Sequence, residues 1–304
     1  MAQPDVSVSS AGKTARPAWR RWLIRVAGFL ALLYLLGCLM FSYSGLQNIL
    51  IFPGSATQGK PDARVHPTGS AELVTLKTRD GQTVVGIFGK AVDAMGNLLP
   101  DASHLPTILY FYGNGSCMAQ STGEFEYFRH QGANVLLCDY VGYGMSSGTP
   151  SEEGCYATAD AGYEYLLSRE DVDGRKIVAA GWSLGAAVAI DLASRRQVAG
   201  LITVSAFTSM PDMGRRYLPF VPTSLLLHYR FNNLQKIAGL RCPMLIMHGT
   251  DDHLVPAAMS RRLAGAAGGP VTRLELPGAG HNDVFESGGE KLWAAVKTFV
   301  SGLQ

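Results

Sequence analysis

The run Gly181-Trp182-Ser183-Leu184-Gly185 constrains the fold more than any other part of the chain. It stands where an apolar, strand-like stretch (Lys176–Ala180) ends and a stretch of helical period (Gly185–Ala193) begins. A G-x-S-x-G pattern between a strand and a helix reads as a sharp turn. The flanking glycines let the chain reverse and let the helix pack close, so the serine hydroxyl is lifted above the edge of a sheet. The N-terminus of the following helix favours negative charge developing nearby. Taken alone, the five residues also describe a small-residue turn with an ordinary serine. Their context decides between the two.

That context is a regular alternation of elements. Continuous apolar runs at Thr107–Tyr112, Asn134–Cys138, Gly200–Val204 and Pro243–Met247 have the composition of strands buried on both faces. Between and after them lie Tyr156–Leu167, Gly185–Ala193, Ala257–Ala264 and Leu292–Leu303, with helical spacing of apolar residues. This alternation predicts an α/β fold with a mostly parallel, doubly wound sheet. Glu72–Thr78 and Thr83–Phe88, joined around Asp80-Gly81, predict an antiparallel pair before it. The 304 residues suit one large catalytic domain, placed at residues 70–304. With 47% apolar and 16% charged residues, the composition fits a well-buried core.

A neutral serine is a weak nucleophile, so Ser183 needs a base to take its proton and an acid to orient that base. The strand-like run Pro243–Met247 leads into His248-Gly249-Thr250-Asp251-Asp252-His253, which brings a carboxylate to a strand end. Asp252 and Asp251 both compete for the acid role. After Thr272–Leu276, the loop Pro277-Gly278-Ala279-Gly280-His281 supplies an imidazole. His248 and His253 read as structural or surface residues. The Leu184 amide follows the serine directly and is one candidate donor to an oxyanion.

On these runs the chain resembles the α/β-hydrolase superfamily, specifically the ABHD-type serine hydrolases with one N-terminal membrane helix, over roughly residues 46–300. The resemblance implies Ser183, Asp252 and His281 as the catalytic triad, Asp252 from the family's G-T-x-D-x-x-V-P run and His281 from G-A-G-H-N-D. It implies a second oxyanion donor in the Asn114 amide, because Gly113-Asn114-Gly115-Ser116 matches the family's H-G-N-x loop. Here Tyr112 replaces the usual histidine. Asp139-Tyr140-Val141-Gly142-Tyr143-Gly144-Met145-Ser146 is similar to D-Y-R-G-Y-G-x-S, with Val141 in place of arginine, and reads as a structural loop in which Tyr140 and Tyr143 pack. A small cap is expected at residues 206–240. Met210, Met213, Tyr217, Leu218, Phe220, Val221, Leu225, Leu226 and Leu227 there either line an acyl pocket or pack on the core. The implied activity is hydrolysis of esters or thioesters with lipid-like acyl groups, through an acyl-enzyme and without a cofactor. A prolyl-oligopeptidase-like peptidase and a non-catalytic membrane-tethered scaffold are the competing functions.

The N-terminus addresses location. Residues 1–20 are expected to be disordered, and residues 21–43 to form a transmembrane anchor or uncleaved signal, followed by a connector at 44–69. From Trp22 to Tyr43 a helix would span roughly 33 Å, the thickness of a bilayer core. Lys13, Arg16, Arg20, Arg21 and Arg25 precede its uncharged run Val26–Phe41 and no Lys or Arg follows until Lys60, so the positive-inside bias places the N-terminus in the cytoplasm and the catalytic domain outside. A cleaved export signal and a lipoprotein anchored at Cys38, after Leu35-Leu36-Gly37, are the alternatives. A net charge of +2 gives no electrostatic case for nucleic-acid binding. The five cysteines show no paired spacing for zinc or redox chemistry, so no metal is expected. In an exported domain Cys117 and Cys155 could pair as a disulfide. The sequence leaves the oligomeric state open.

Overall fold

A computed structural model describes residues 18–303. The β-branched and aliphatic runs form an eight-stranded sheet: β1 (Ala71–Lys77), β2 (Thr83–Gly89), β3 (Thr107–Phe111), β4 (Asn134–Cys138), β5 (Ile177–Trp182), β6 (Gly200–Val204), β7 (Met244–Gly249) and β8 (Val271–Leu276). The strand order is β1-β2-β4-β3-β5-β6-β7-β8. β1 pairs antiparallel with β2 and β2 with β4, while every other neighbouring pair is parallel. β3, β4 and β6 are buried along their whole length, which is why they read as unbroken apolar runs.

The helices are α1 (Ala18–Phe41), α2 (Ser44–Ile51), α3 (Thr122–His130), α4 (Glu152–Ser168), α5 (Leu184–Arg195), α6 (Met210–Tyr217), α7 (Thr223–Leu226), α8 (Asn233–Ile237), α9 (Ala257–Ala266) and α10 (Val284–Ser301). The sheet with helices interleaved is the α/β-hydrolase architecture expected from the sequence. Helix α3 follows Cys117, near which the sequence suggests a helix start without bounds; only Phe125, Phe128 and Arg129 of its short span are buried. The last helix starts at Val284, well before Leu292, and is kinked at Gly289, where φ is +45°.

The N-terminal expectations need adjustment. Residues 1–17 of the expected disordered tail lie outside the described residues, whereas Ala18, Trp19 and Arg20 already belong to α1. Trp19–Phe41 is long and apolar enough to cross a membrane and runs unbroken through Cys38. The 44–69 segment is well structured: Phe52 is fully buried, and Ile51 and Val65 join the core. The possible Cys117–Cys155 disulfide, which the sequence leaves open, is absent. Both thiols are free and buried, Cys155 among the side chains beneath α4.

The central packing constraint lies between β5 and α5. A Cβ at Gly185 would stand 1.9 Å from the Phe111 carbonyl oxygen, and one at Gly181 would stand 2.1 Å from the Gly185 carbonyl oxygen. Backbone meets backbone at both positions, so no side chain can yield. Gly185→Ala is therefore expected to destabilise the protein by about 3 kcal/mol, read as a lowered Tm in thermal unfolding. An unchanged Tm would contradict this packing.

Candidate active site

Ser183 lies between β5 and α5 with φ +56° and ψ −115°. A non-glycine residue held there carries strain of roughly 1–3 kcal/mol. The neighbouring elements hold it in place: the Ser183 amide donates to the Val204 carbonyl at 2.9 Å, and the tight glycine contacts lock the helix onto the strand. The turn delivers the hydroxyl to the carboxyl ends of the parallel strands.

Two loops from the same edge meet it. His281, after β8, places Nε2 3.0 Å from Ser183 Oγ and Nδ1 2.7 Å from Asp252 Oδ2. Asp252, after β7, is buried and accepts the Val255 amide at 2.6 Å on its other oxygen. Asp251, the rival acid, is exposed and accepts the Thr250 hydroxyl. The geometry thus brings together Ser183, His281 and Asp252. Trp182, the residue before the serine, packs against the His281 ring at 5.5 Å between centroids.

His248 is structural, one of its two expected readings, and it touches the acid directly. It is buried at the end of β7, with Nε2 2.8 Å from the Val255 carbonyl and 3.2 Å from Asp252 Oδ2. Its spacing of four residues from Asp252, across the β7 turn, was the available signal. His253, by contrast, is exposed. Burial pushes the Asp252 carboxyl up, but hydrogen bonds from His248, His281 and the Val255 amide outweigh it and hold the group well below the usual carboxylate range.

The Asn114 and Leu184 amides donate to no acceptor among the described residues, and both residues line the same pocket as Ser183. The loop around Asn114 is pinned from several sides. Its carbonyl accepts the Gly54 amide at 2.9 Å and the Tyr143 hydroxyl at 3.0 Å, while its side-chain amide donates to the Ile51 carbonyl at 2.9 Å. Tyr112 donates its hydroxyl to Asp139 at 2.9 Å, and Tyr140 donates to the Tyr112 carbonyl at 2.7 Å. The same Asp139 carboxylate accepts the Met118 and Met145 amides. Tyr140 and Tyr143 therefore do more than pack; their hydroxyls support this loop.

Ser183 sits between two unlike cavities. One, of about 410 Å³, is lined by Met210, Met213, Tyr217, Leu218 and Leu227 of the 206–240 segment, with Phe41, Leu50 and Ile51 from the N-terminal helices. The other, of about 450 Å³, carries His281, Asn282, Ser116, Gln120, Glu124 and Glu286. The apolar set of the cap thus divides: part lines the pocket, whereas Phe220 and Leu225 face outward. Among the described residues no group of three His, Cys, Asp or Glu side chains converges to hold a metal.

Comparison with known proteins agrees with this architecture. The Alpha/beta hydrolase family matches residues 111–231. The "Uncharacterized protein Rv2307c" of Mycobacterium tuberculosis is 34% identical over 265 residues, covering 87% of this chain and 90% of that protein. "Alpha/beta hydrolase domain-containing protein 17B" of Xenopus tropicalis is 32% identical over 191 residues, 61% of this chain and 62% of that protein. Among solved structures, the esterase Pf2001 of Pyrococcus furiosus superposes with a TM-score of 0.63 at 19% identity, over 79% of this chain and 96% of that one. An alpha-beta hydrolase of Vibrio vulnificus gives 0.64 at 20% identity, over 85% and 92%.

The Asp252 environment has a consequence in acid. A carboxyl whose folded pKa lies below its unfolded value of roughly 3.9 contributes stability that is present at neutral pH and lost as pH falls below about 4. Denaturant unfolding at pH 7 and pH 3 should show a smaller acid loss for Asp252→Asn than for wild type. Equal losses would contradict the assigned environment.

Proposed function

Because the chain belongs to the α/β-hydrolase superfamily, we propose that it is a serine hydrolase acting on carboxylic esters or thioesters with lipid-like acyl groups. One observation carries this reading: the continuous hydrogen-bonded chain from Ser183 Oγ through the His281 ring to Asp252. A hydroxyl in contact with an imidazole nitrogen, itself oriented by a buried carboxylate, is the arrangement that lets a neutral serine attack a carbonyl.

In the first half-reaction Ser183 Oγ bonds to the acyl carbon as its proton passes to His281 Nε2. The Asp252 carboxylate holds the Nδ1–H tautomer and stabilises the imidazolium. Negative charge builds on the carbonyl oxygen and is met by the Asn114 and Leu184 amides, helped by the N-terminal end of α5. Collapse expels the alcohol or thiol, which takes the proton from His281. In the second half, His281 deprotonates a water that attacks the acyl-serine, and the acid leaves with Ser183 restored. The apolar cavity suits the acyl chain, and the polar one suits the leaving group and the incoming water.

Helix α1 completes the proposal. Trp19–Phe41 has the length and hydropathy to span a bilayer, with Arg20, Arg21 and Arg25 near its N-terminal end. By the positive-inside bias that end faces the cytoplasm, and the catalytic domain lies on the other side.

A fluorophosphonate probe is expected to label the wild type on Ser183 and to leave Ser183→Ala unlabelled. Ser183→Ala and His281→Ala should each lower kcat for a p-nitrophenyl ester by roughly three or more powers of ten. Equal labelling of wild type and Ser183→Ala would overturn the nucleophile assignment.

A further inference from the structure

The cap carries a surface that the hydrolytic chemistry does not use. Tyr217 to Leu227 form an uncharged stretch bracketed by Arg215 and Arg216 before it and by His228 and Arg230 after it. At its apex Phe220 is 86% exposed and Leu225 is 80% exposed. Two large apolar side chains so open to solvent within one short uncharged stretch make it a candidate contact surface.

The position of this apex relative to α1 identifies what it contacts. The Tyr34 hydroxyl donates to the Phe220 carbonyl at 2.7 Å. At the base of the cap, the buried Gln47 amide donates to the carbonyls of Phe41 and Leu226 and accepts the His228 amide, and the His228 ring contacts the Ser42 carbonyl. These contacts tie the cap to the C-terminal part of α1. Tyr34 lies seven residues before Phe41, the end of the helix, a distance of roughly 10 Å along its axis. Side chains on a helix tilt toward its N-terminus, so the hydroxyl lies no shallower than that.

We propose that the cap apex, Leu218 to Leu225, is embedded in the hydrocarbon of the leaflet nearest the catalytic domain, so that an acyl chain passes from that leaflet directly into the Ser183 pocket. The proposal rests on α1 spanning the bilayer and on the hydrolase reading of the site. Several details fit a lipid surroundings. Backbone polar groups at this depth must be paired within the protein. Most of them are: Tyr34 supplies the donor for the Phe220 carbonyl, the Val221, Thr223 and Leu225 amides donate to the Leu218, Val221 and Pro222 carbonyls, and Pro219 and Pro222 have no amide proton, while the Phe220 amide has no acceptor among the described residues. Arg230 donates to the Ser224 carbonyl at 2.6 Å, and Arg215 contacts Asp212 and the Ser224 hydroxyl, so these cations stand at the Ser224 edge of the apex, where long charged side chains border headgroups. Leu50, Tyr217, Leu218 and Leu254 are both exposed and part of the pocket wall, so the mouth opens beside the apex.

The test uses the full chain in phosphatidylcholine vesicles, as wild type and as Phe220→Asp/Leu225→Asp. Neither residue lines the pocket. Turnover of p-nitrophenyl palmitate held in the vesicles is expected to fall at least about tenfold in the double variant, the effect of moving carboxylates out of hydrocarbon, while p-nitrophenyl butyrate in solution is cleaved as by wild type. Parallel changes on both esters, or none on either, overturn the proposal. In Phe220→Trp, phosphatidylcholine brominated on its acyl chains should quench the added emission relative to wild type; absence of extra quenching also overturns it. The quenching needs no catalysis, so a wild type that cleaves neither ester sinks the hydrolase reading and leaves the membrane contact to be decided by quenching. Release of the wild type from vesicles by alkaline carbonate would show that α1 does not span, and the embedded apex would fall with it.

Discussion

The strained backbone at Ser183 is the constraint on which the rest of the structure depends. A positive φ at a non-glycine residue persists only where its surroundings over-determine it. Here the β5–α5 contact does so, with Gly185 against the Phe111 carbonyl and Gly181 against Gly185, leaving no room for a Cβ. The turn sets the height of the hydroxyl above the sheet. Parallel β6, β7 and β8 then bring the loops bearing Asp252 and His281 to the same edge.

A second layer holds the loops that the turn cannot reach. Asp139 accepts from the Tyr112 hydroxyl and two backbone amides, while Tyr143 and Gly54 fix the Asn114 carbonyl. Buried polar groups of this kind are costly unless paired, and their pairing specifies one loop conformation. The segment between α1 and the sheet takes part directly, through Gly54 and Ile51. Glu152 does the corresponding work for the cap, accepting the Arg230 and Phe231 amides as the chain returns toward α8. The site, the cap and the N-terminal helices therefore form one connected structure.

Much of this was legible in the sequence, for physical reasons. Strands buried on both faces have no polar face to interrupt them, so β3, β4 and β6 appeared as continuous apolar runs. The elbow was legible because strand, glycines and helix occur together. Strand ends located Ser183 and His281 and narrowed the acid to Asp251 or Asp252, the family resemblance chose Asp252, and the structure brings Ser183, His281 and Asp252 within hydrogen-bonding distance. What was hidden depends on how elements fold back on one another rather than on the pattern of residue types. Helix α3 contributes only Phe125, Phe128 and Arg129 to burial, too short a stripe to give a clear period. His248 looks like any strand-end histidine until Asp252 folds back against it. The division of the cap into pocket wall and outward apex, and the packing of residues 44–69 on the Asn114 loop, are set by tertiary structure alone. A disulfide between Cys117 and Cys155 was suggested by composition and compartment, and the packing leaves both as buried thiols.

Catalysis by this site requires a covalent bond to form at one oxygen atom, Ser183 Oγ. Rapid-quench mass spectrometry of the intact chain during turnover of a slowly deacylated long-chain ester tests it most directly. A mass increase of one acyl group is expected, mapping to the peptide that contains Ser183 and rising with the first equivalent of alcohol released. Sustained turnover by Ser183→Ala at the wild-type rate, with no acyl group on the chain, would contradict it.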